Sequence, residues 1–179
     1  MINLMYVLLM AMLALNVSKD VLNGFTVVED SLNRTMANAM HENSNIYRDF
    51  AAQAKDNPAK VQVWYNKAVE VKKMSDSLYN YAQQLKLAIA READGPDADL
   101  QHLVNKANED AASHVMLAPV RGQGHKLYNA INSFRTRVCR MLINPRDRAT
   151  GEANLSTTVP RSPGIPLNRK WEEYTFGNM

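Results

Sequence analysis

The sequence predicts an all-α protein in which a single N-terminal transmembrane helix continues into an antiparallel four-helix bundle with a long irregular C-terminal segment. Residues 1–18 carry no charged side chain, and beyond them apolar residues recur at spacings of three and four. Hydrophobic residues make up 46% of the chain and charged residues 22%, which is ordinary for a water-soluble domain. The sequence therefore divides into a membrane segment, 1–18, and a helical body, 19–179.

The membrane segment is best explained as an uncleaved span. A helix over residues 1–17 is about 25 Å long, somewhat short of a hydrocarbon core of roughly 30 Å, so flanking residues have to complete it. The segment has no basic region at its start and no Ala-x-Ala cleavage site, which disfavours a signal peptide. Four amphipathic helices could not surround so apolar a helix, which disfavours a buried soluble helix.

Polar and small side chains inside the span predict the face that packs against other membrane helices, because buried amides and phenols seek partners in lipid. The predicted partner-facing residues are Asn3, Tyr6, Met10, Ala14 and Asn16. The alternative is that Tyr6 and Asn16 lie at the two membrane interfaces. Since the span contains no ionisable carboxylate or histidine, any proton-binding group of an ion-driven assembly would belong to a partner.

The body begins with two long predicted helices. No proline separates the span from the first apolar stripe, which includes Phe25 and Leu32, so the two segments are expected to form one rod. Asn57-Pro58 ends that helix and starts the second, with Asn as cap and Pro at the first helical position. The second stripe has a period near 3.5 residues and ends before Gly95-Pro96.

Two shorter helices and an irregular segment complete the prediction. The third helix is expected to start near Asp97 or Asp99, and the fourth to stop at Asn144-Pro145. Residues 145–170 are expected to be irregular, with Trp171 opening an aromatic cluster that docks on the bundle. The predicted core residues of the body are Phe25, Leu32, Trp64, Leu78, Leu85, Phe134 and Trp171.

Motifs for catalysis, metals and cofactors are weak or missing. The four histidines lack ligand spacing, and the single cysteine, Cys139, lies in an apolar stripe where we expect a buried small hydrophobe. The segment "RGQGHK" lacks Walker spacing, so it predicts a turn with glycine at unusual backbone angles. Residues 121–170 carry 10 Lys or Arg against 2 Asp or Glu, which would suit an acidic partner, nucleic acid or a lipid headgroup surface. The alternative, a solvated helix face and loop, is favoured because no nucleic-acid motif accompanies the basic residues. We expect no enzyme activity, cofactor, metal or nucleic-acid partner.

Four stretches resemble the GldM/PorM family of gliding-motility and type IX secretion proteins of Bacteroidetes. They are "MINLMYVLLMAMLALNVSKDVLNGF", "DSLYNYAQQLK" at 76–86, "ASHVMLAP" at 112–119 and "WEEYTFGNM" at 171–179. The resemblance implies a single-pass protein of the bacterial inner membrane with a cytoplasmic N-terminus and a periplasmic body. It also implies a rotary motor driven by the proton-motive force.

The resemblance further implies the partners. A homodimer is expected to place two copies of the helix inside a pentameric ring of multi-span GldL/PorL-like subunits, which carry the proton-binding carboxylate. The body is expected to carry motion to outer-membrane-associated ring proteins through further periplasmic domains. Family members usually begin with a short stretch containing Pro-Arg-Gln-Lys and continue into a last helix and more domains. The chain is therefore expected to be an N-terminal fragment of a longer shaft.

Two other classes of function compete with the motor subunit. A membrane-anchored periplasmic sensory bundle would bind a ligand between helices near His114, Arg121 and His125. A soluble helical enzyme would need a catalytic constellation that the sequence does not contain. The sensor predicts a second membrane span and a signalling region, whereas the motor predicts stable association with a multi-span partner.

Overall fold

A computed structural model describes residues 2–100, 102–106, 108 and 110–177, without the side chains of 2–4, 6–23 and 25. The described residues form helices and no strand, which confirms the all-α prediction. The helices are α1 (Ile2–Asp56), α2 (Pro58–Asp94), α3 (Asp110–Leu117), α4 (Gly124–Met141), α5 (Pro145–Asn154) and α6 (Trp171–Phe176). The chain divides into two compact units, Met1–Gln62 and Val63–Met179.

The first unit is dominated by α1, which runs for 55 residues without a break. At about 1.5 Å per residue the helix is roughly 80 Å long. Gly24 does not interrupt it, although glycine is among the weakest helix formers. The prediction that the apolar segment continues directly into the amphipathic helix is confirmed.

The predicted break between the first two helices is also confirmed, and it is a single residue long. Asn57 lies between α1 and α2, and its carbonyl accepts from the backbone N–H of Val61 at 3.1 Å. Pro58 occupies the first position of α2, where a missing N–H costs no helical hydrogen bond.

No helix in the described part of the chain combines the length and hydropathy needed to cross a membrane. The predicted span, 1–18, falls on residues whose side chains, apart from exposed Met5, lie outside the description.

The start of α3 differs from the prediction. The helix begins at Asp110, where the side chain of Asn108 accepts from the N–H of Ala111 at 3.1 Å, rather than near Asp97 or Asp99. The preceding loop is held by the carboxylate of Asp94, which accepts from two backbone N–H groups of that loop at 2.7 and 2.8 Å. The loop fixed in this way leaves the side chain of Val104 90% exposed.

Helix α4 confirms the fourth predicted helix, but α5 lies within residues 145–170, which were expected to be irregular. Asn144 caps α5 by accepting from the N–H of Arg146 at 2.9 Å, and Pro145 takes the first helical position. The sequence pattern predicts only a helix stop at Asn144-Pro145. The same dipeptide starts a helix, as Asn57-Pro58 does.

The irregular segment is therefore shorter than predicted, covering residues 155–170 between α5 and α6. Its first part is tied to α4, because Arg135 donates to the carbonyl of Leu155 at 3.1 Å and Thr157 donates to the side chain of Asn132 at 3.1 Å. Its far end leads into α6, whose Trp171 contacts Tyr128 of α4 with ring centroids 5.9 Å apart. The predicted docking of the aromatic cluster is confirmed.

The predicted core residues have different environments. Leu85 is buried, Leu78, Phe134 and Trp171 are partly buried, and the side chain of Phe25 lies outside the description. Leu32 is 64% exposed and Trp64 is 45% exposed, so their prediction as core residues is wrong for the single chain. Periodicity identified an apolar face correctly, but it cannot tell whether the same chain covers that face.

Helices α3, α4, α5 and α6 make the close contacts of the second unit. Helix α2 joins them through side chains: Arg137 of α4 pairs with Glu70 at 2.8 Å, and His114 of α3 lies 3.3 Å from Glu92. The described residues form six helices, two more than the four predicted, and the antiparallel bundle itself stays a prediction.

Candidate interaction surfaces

The five predicted membrane-partner residues all belong to α1, but the side chains of Asn3, Tyr6, Met10, Ala14 and Asn16 lie outside the described residues. The helix brings residues 3, 6 and 10 onto one side, since spacings of three and four correspond to about one turn. Their contact with a membrane partner stays a prediction.

Farther along α1, an apolar face is described and exposed. Val28, Leu32, Ala39 and Ile46 follow one another at spacings of four, seven and seven, which places them on one side of the helix. All four are exposed, and we call this set the α1 stripe. An exposed row of apolar side chains on one helix face is typical of a protein contact surface.

Exposed apolar side chains also occur at the N-terminal end of α2 within the second unit. Val63, Trp64 and Val69 are exposed there, and the ammonium of Lys67 lies 4.5 Å from the centre of the Trp64 ring. The Lys67 contact shields one face of the indole by a cation–π interaction. The ion pair that joins α2 to α4 lies farther along the helix, at Glu70.

Tight packing among the described residues occurs where α3, α4 and α6 meet. Met116 of α3 is 2% exposed, and a Cβ atom on Gly124 would lie 2.8 Å from Glu172 Cβ and 2.9 Å from the carbonyl oxygen of Met116. On Gly122 a Cβ would lie 2.6 Å from the carbonyl oxygen of Ala118. We call the contact among Met116, Gly124 and Glu172 the α6 closure.

The glycines of "RGQGHK" are thus required for a different reason from the one predicted. Neither Gly122 nor Gly124 has positive φ; among the described residues only Gly95 and Gly164 do. Close approach of backbone and of Glu172, rather than an unusual backbone angle, excludes a side chain at these two positions. The prediction of an interhelical turn is confirmed, since residues 118–123 connect α3 to α4.

The α6 closure contains a buried acid that sequence reasoning missed. The carboxylate of Glu172 is 3.3 Å from His125 Nδ1, and the imidazole stacks on Tyr128 at 6.0 Å. A carboxylate near the end of a polar segment gives no periodic signal of burial. Only its position directly after Trp171, the docking aromatic residue, could have suggested that it faces the body.

A cleft of about 610 Å³ separates α2 from α4. Met74, Leu78 and Phe134 line it, together with the Glu70–Arg137 pair. Tyr81 also lines the cleft, and its hydroxyl is buried without a hydrogen-bond partner among the described residues. Burial raises the pKa of Tyr81 above its ordinary value of 10.0.

The residues of the predicted sensory site do not form one cluster around a ligand. His114 pairs with Glu92, whereas His125 pairs with Glu172. The carbonyl of Arg121 accepts from Gln123 at 2.7 Å within the turn between the two helices. Each histidine thus has its own carboxylate partner, which is the arrangement of two separate structural contacts.

Cys139 has the buried position that the sequence predicts. Its sulfur lies 3.8 Å from the carbonyl oxygen of Arg148, and a Cβ on Gly151 would come within 3.2 Å of it. The thiol fills space between α4 and α5. Within the part of the chain that the structure describes, no group of three or more His, Cys, Asp or Glu could hold a metal ion.

A long helix with an exposed apolar face, such as α1, is typical of proteins that work as parts of larger assemblies. The chain belongs to the GldM family, because the family model described as the GldM N-terminal domain matches residues 20–179. Membership makes it a component of gliding motility and type IX secretion, in a family of structural rather than enzymatic proteins. No curated protein matches the chain.

Proposed function

We propose that the chain is a non-enzymatic subunit of a rotary motor in the bacterial inner membrane, driven by the proton-motive force. In this proposal residues 1–18 cross the membrane with the N-terminus in the cytoplasm, and residues 19–179 lie in the periplasm. Two copies pair, and their helices stand inside a pentameric ring of multi-span GldL/PorL-like subunits. The body transmits rotation toward outer-membrane-associated ring proteins of the secretion and gliding machinery.

The observation that carries the proposal is the continuity of α1 from Ile2 to Asp56, in a member of the GldM family. A helix transmits torque only while its backbone hydrogen bonds are unbroken, because a flexible hinge would let one end turn without the other. The uncharged apolar segment and the first part of the body, residues 19–56, lie on this one helix. Such a part can be driven by a partner that binds the proton itself.

The α1 stripe supports the pairing of two copies. Val28, Leu32, Ala39 and Ile46 repeat at spacings that suit contact between parallel helices, and the same chain leaves them exposed. In a homodimer each copy presents the same face to the other, so one stripe supplies both halves of the contact. Nothing in the described residues favours the sensory alternative, whose three predicted ligand residues do not form a common site.

The proposal can be tested by breaking α1 in the natural protein. A flexible seven-residue Gly-Ser insertion after Gly24 should abolish transmission, because it ends the helix between the apolar segment and the body. We expect secretion through the type IX system, measured as cargo released from cells, to fall by at least about 10-fold. The protein level in the membrane fraction should stay unchanged.

The matched control is a seven-residue Ala-rich helical insertion at the same place. Seven residues make nearly two turns, so the helix continues with almost the same faces beyond the insertion. Secretion should stay within about twofold of the parent protein. Full secretion with the flexible insertion, at normal protein level, would contradict a role for α1 in carrying rotation.

A further inference from the structure

A concave surface of about 560 Å³ lies between α4, α5 and the segment that follows α5. We call it the arginine cleft. Three arginines line it against one acidic residue, and three hydroxyl groups complete its polar wall. Its lining residues are Arg135, Thr136, Cys139, Arg140, Arg148, Glu152, Ser156 and Thr158.

Two of the arginines are held in place by neutral groups. Arg135 donates to the carbonyl of Leu155 at 3.1 Å and to the side chain of Asn132. Arg148 donates through Nε to the carbonyl of Cys139 at 3.1 Å and through Nη2 to that of Leu142 at 2.9 Å. Carbonyl and amide oxygens orient a guanidinium without cancelling its charge.

These contacts leave donors available. A guanidinium has five N–H groups, and the bonds above engage only two groups on each of Arg135 and Arg148. A donor whose orientation is already fixed loses less conformational entropy when a ligand arrives. The two side chains therefore present pre-oriented positive charge to the cleft.

Arg140 supplies the third charge from α4. Within the described residues neither Arg140 nor the other two arginines forms an ion pair within 4.0 Å, although Glu152 lines the same cleft. By contrast, Arg137 on the neighbouring side of α4 pairs with Glu70 at 2.8 Å. The cleft thus brings together three guanidinium groups that have no carboxylate partner within 4.0 Å among the described residues.

Hydroxyl groups of the segment that follows α5 add donors to the cleft. Ser156 donates to Thr158 Oγ1 at 3.0 Å, and the N–H of Thr158 donates to Ser156 Oγ at 3.2 Å. In this arrangement Thr158 accepts from Ser156 and keeps its own O–H as a donor. Thr136 lines the cleft from α4.

We infer that the arginine cleft binds an anion of the phosphate class, either free phosphate or the phosphate of an acidic lipid headgroup. Guanidinium groups match phosphate oxygens in charge and geometry, and a tetrahedral anion accepts bonds from several walls at once. The volume leaves room for an organic substituent on the phosphate. The inference is independent of the motor proposal, since it uses only residues of the second unit.

The test is a phosphorus-31 NMR titration of the complete 179-residue chain in an uncharged detergent. The probes are inorganic phosphate and glycerophosphoglycerol, the phosphodiester headgroup of phosphatidylglycerol. Saturable binding is expected, and Arg140→Gln should weaken it about 10-fold, as expected for one charge-assisted contact. The side chain of Arg140 makes no hydrogen bond or ion pair among the described residues, so the variant should keep the parent circular dichroism spectrum.

Arg146→Gln is the matched control. It removes the same charge from exposed Arg146 at the start of α5, which does not line the cleft. Its affinity should stay within about twofold of the parent, because only diffuse attraction is lost. Tighter binding of inorganic phosphate identifies free phosphate as the ligand; tighter binding of the phosphodiester identifies a lipid headgroup. An equal loss in both variants, or no saturation up to about 10 mM, would overturn the inference.

Discussion

The described apolar face of α1 and the α6 closure use apolar side chains in opposite ways. Along α1, Leu32 and its neighbours form a regular stripe that the chain leaves exposed. At the closure, Met116 is almost completely buried in a region with little repeating pattern. The periodic apolar face of α1 is thus left exposed by its own chain, whereas the region without a periodic pattern is buried.

This difference teaches that periodicity and burial report separate properties. A repeated spacing prepares a long helix to contact another long, regular surface, whether or not that surface belongs to the same chain. Burial in the α6 closure depends instead on Gly122 and Gly124 and on Glu172, which lies far from them along the chain. The α1 stripe is suited to a partner, whereas the closure serves the stability of the body.

The largest expected difference between the two regions comes from shortening a methionine. Met116→Ala should lower the free energy of unfolding by about 3 kcal/mol, because it removes buried atoms and leaves a cavity. Met40→Ala, at 52% exposure on α1, should change it by less than about 0.5 kcal/mol. Urea unfolding of the chain followed by circular dichroism measures both. Equal losses would mean that the two regions do not differ in packing.

A smaller effect is expected from adding one methyl group to a glycine. Gly124→Ala should cost about 2 kcal/mol in the same unfolding measurement, since the new Cβ meets Glu172 Cβ and the Met116 carbonyl. Gly24→Ala meets nothing within 4 Å and should stabilise α1 locally by roughly 0.5–1 kcal/mol. Slower amide hydrogen exchange around residue 24 would report that gain. The two substitutions should change stability in opposite directions. A stabilising Gly124→Ala would contradict the close approach of Glu172 and the Met116 carbonyl to Gly124.

The smallest effect is expected in the α2–α4 cleft. Tyr81→Phe removes a buried hydroxyl that has no partner among the described residues, so stability should stay constant or rise by at most about 1 kcal/mol. A loss larger than that would mean that the hydroxyl makes a hydrogen bond in solution.

The same residue gives a pH dependence with a definite sign. Because burial raises the pKa of folded Tyr81, the folded chain holds this proton more tightly than the unfolded chain does. Its contribution is fully present below pH 10.0, the ordinary value, and is lost as the pH rises through the higher folded pKa. Urea midpoints measured across this alkaline range should fall less steeply for Tyr81→Phe than for the parent. Identical slopes would show that Tyr81 does not titrate with folding.

The features that could be predicted from the sequence were those set by local rules. The unbroken α1, the Asn57-Pro58 joint and the docking of Trp171 follow from helix propensity, capping and aromatic burial. The start of α5 follows the same capping rule, but the sequence prediction treats Asn144-Pro145 only as the end of a helix and not as the start of the next one. A stop and a start share the dipeptide, and only the following residues distinguish them.

The features that could not be predicted depend on contacts across long separations. Helix α3 starts late because the Asp94 carboxylate accepts hydrogen bonds from a loop about ten residues farther along the chain. These contacts compete with the capping of a helix in the same region. The exposure of Leu32 and Trp64 depends on which surfaces cover them, which no local pattern contains. The arginine cleft likewise requires α4, α5 and residues 156–158 to meet, although the basic composition of this region was visible.

The α6 closure also sets an order of events during synthesis. Met116 and Gly124 leave the ribosome long before Glu172, which follows Met116 by 56 positions along the chain. At about 5–20 residues per second, that gap lasts roughly 3 to 11 s. Throughout this interval Glu172 is absent from the closure, so the emerging chain exposes apolar surface around Met116 that the finished protein buries.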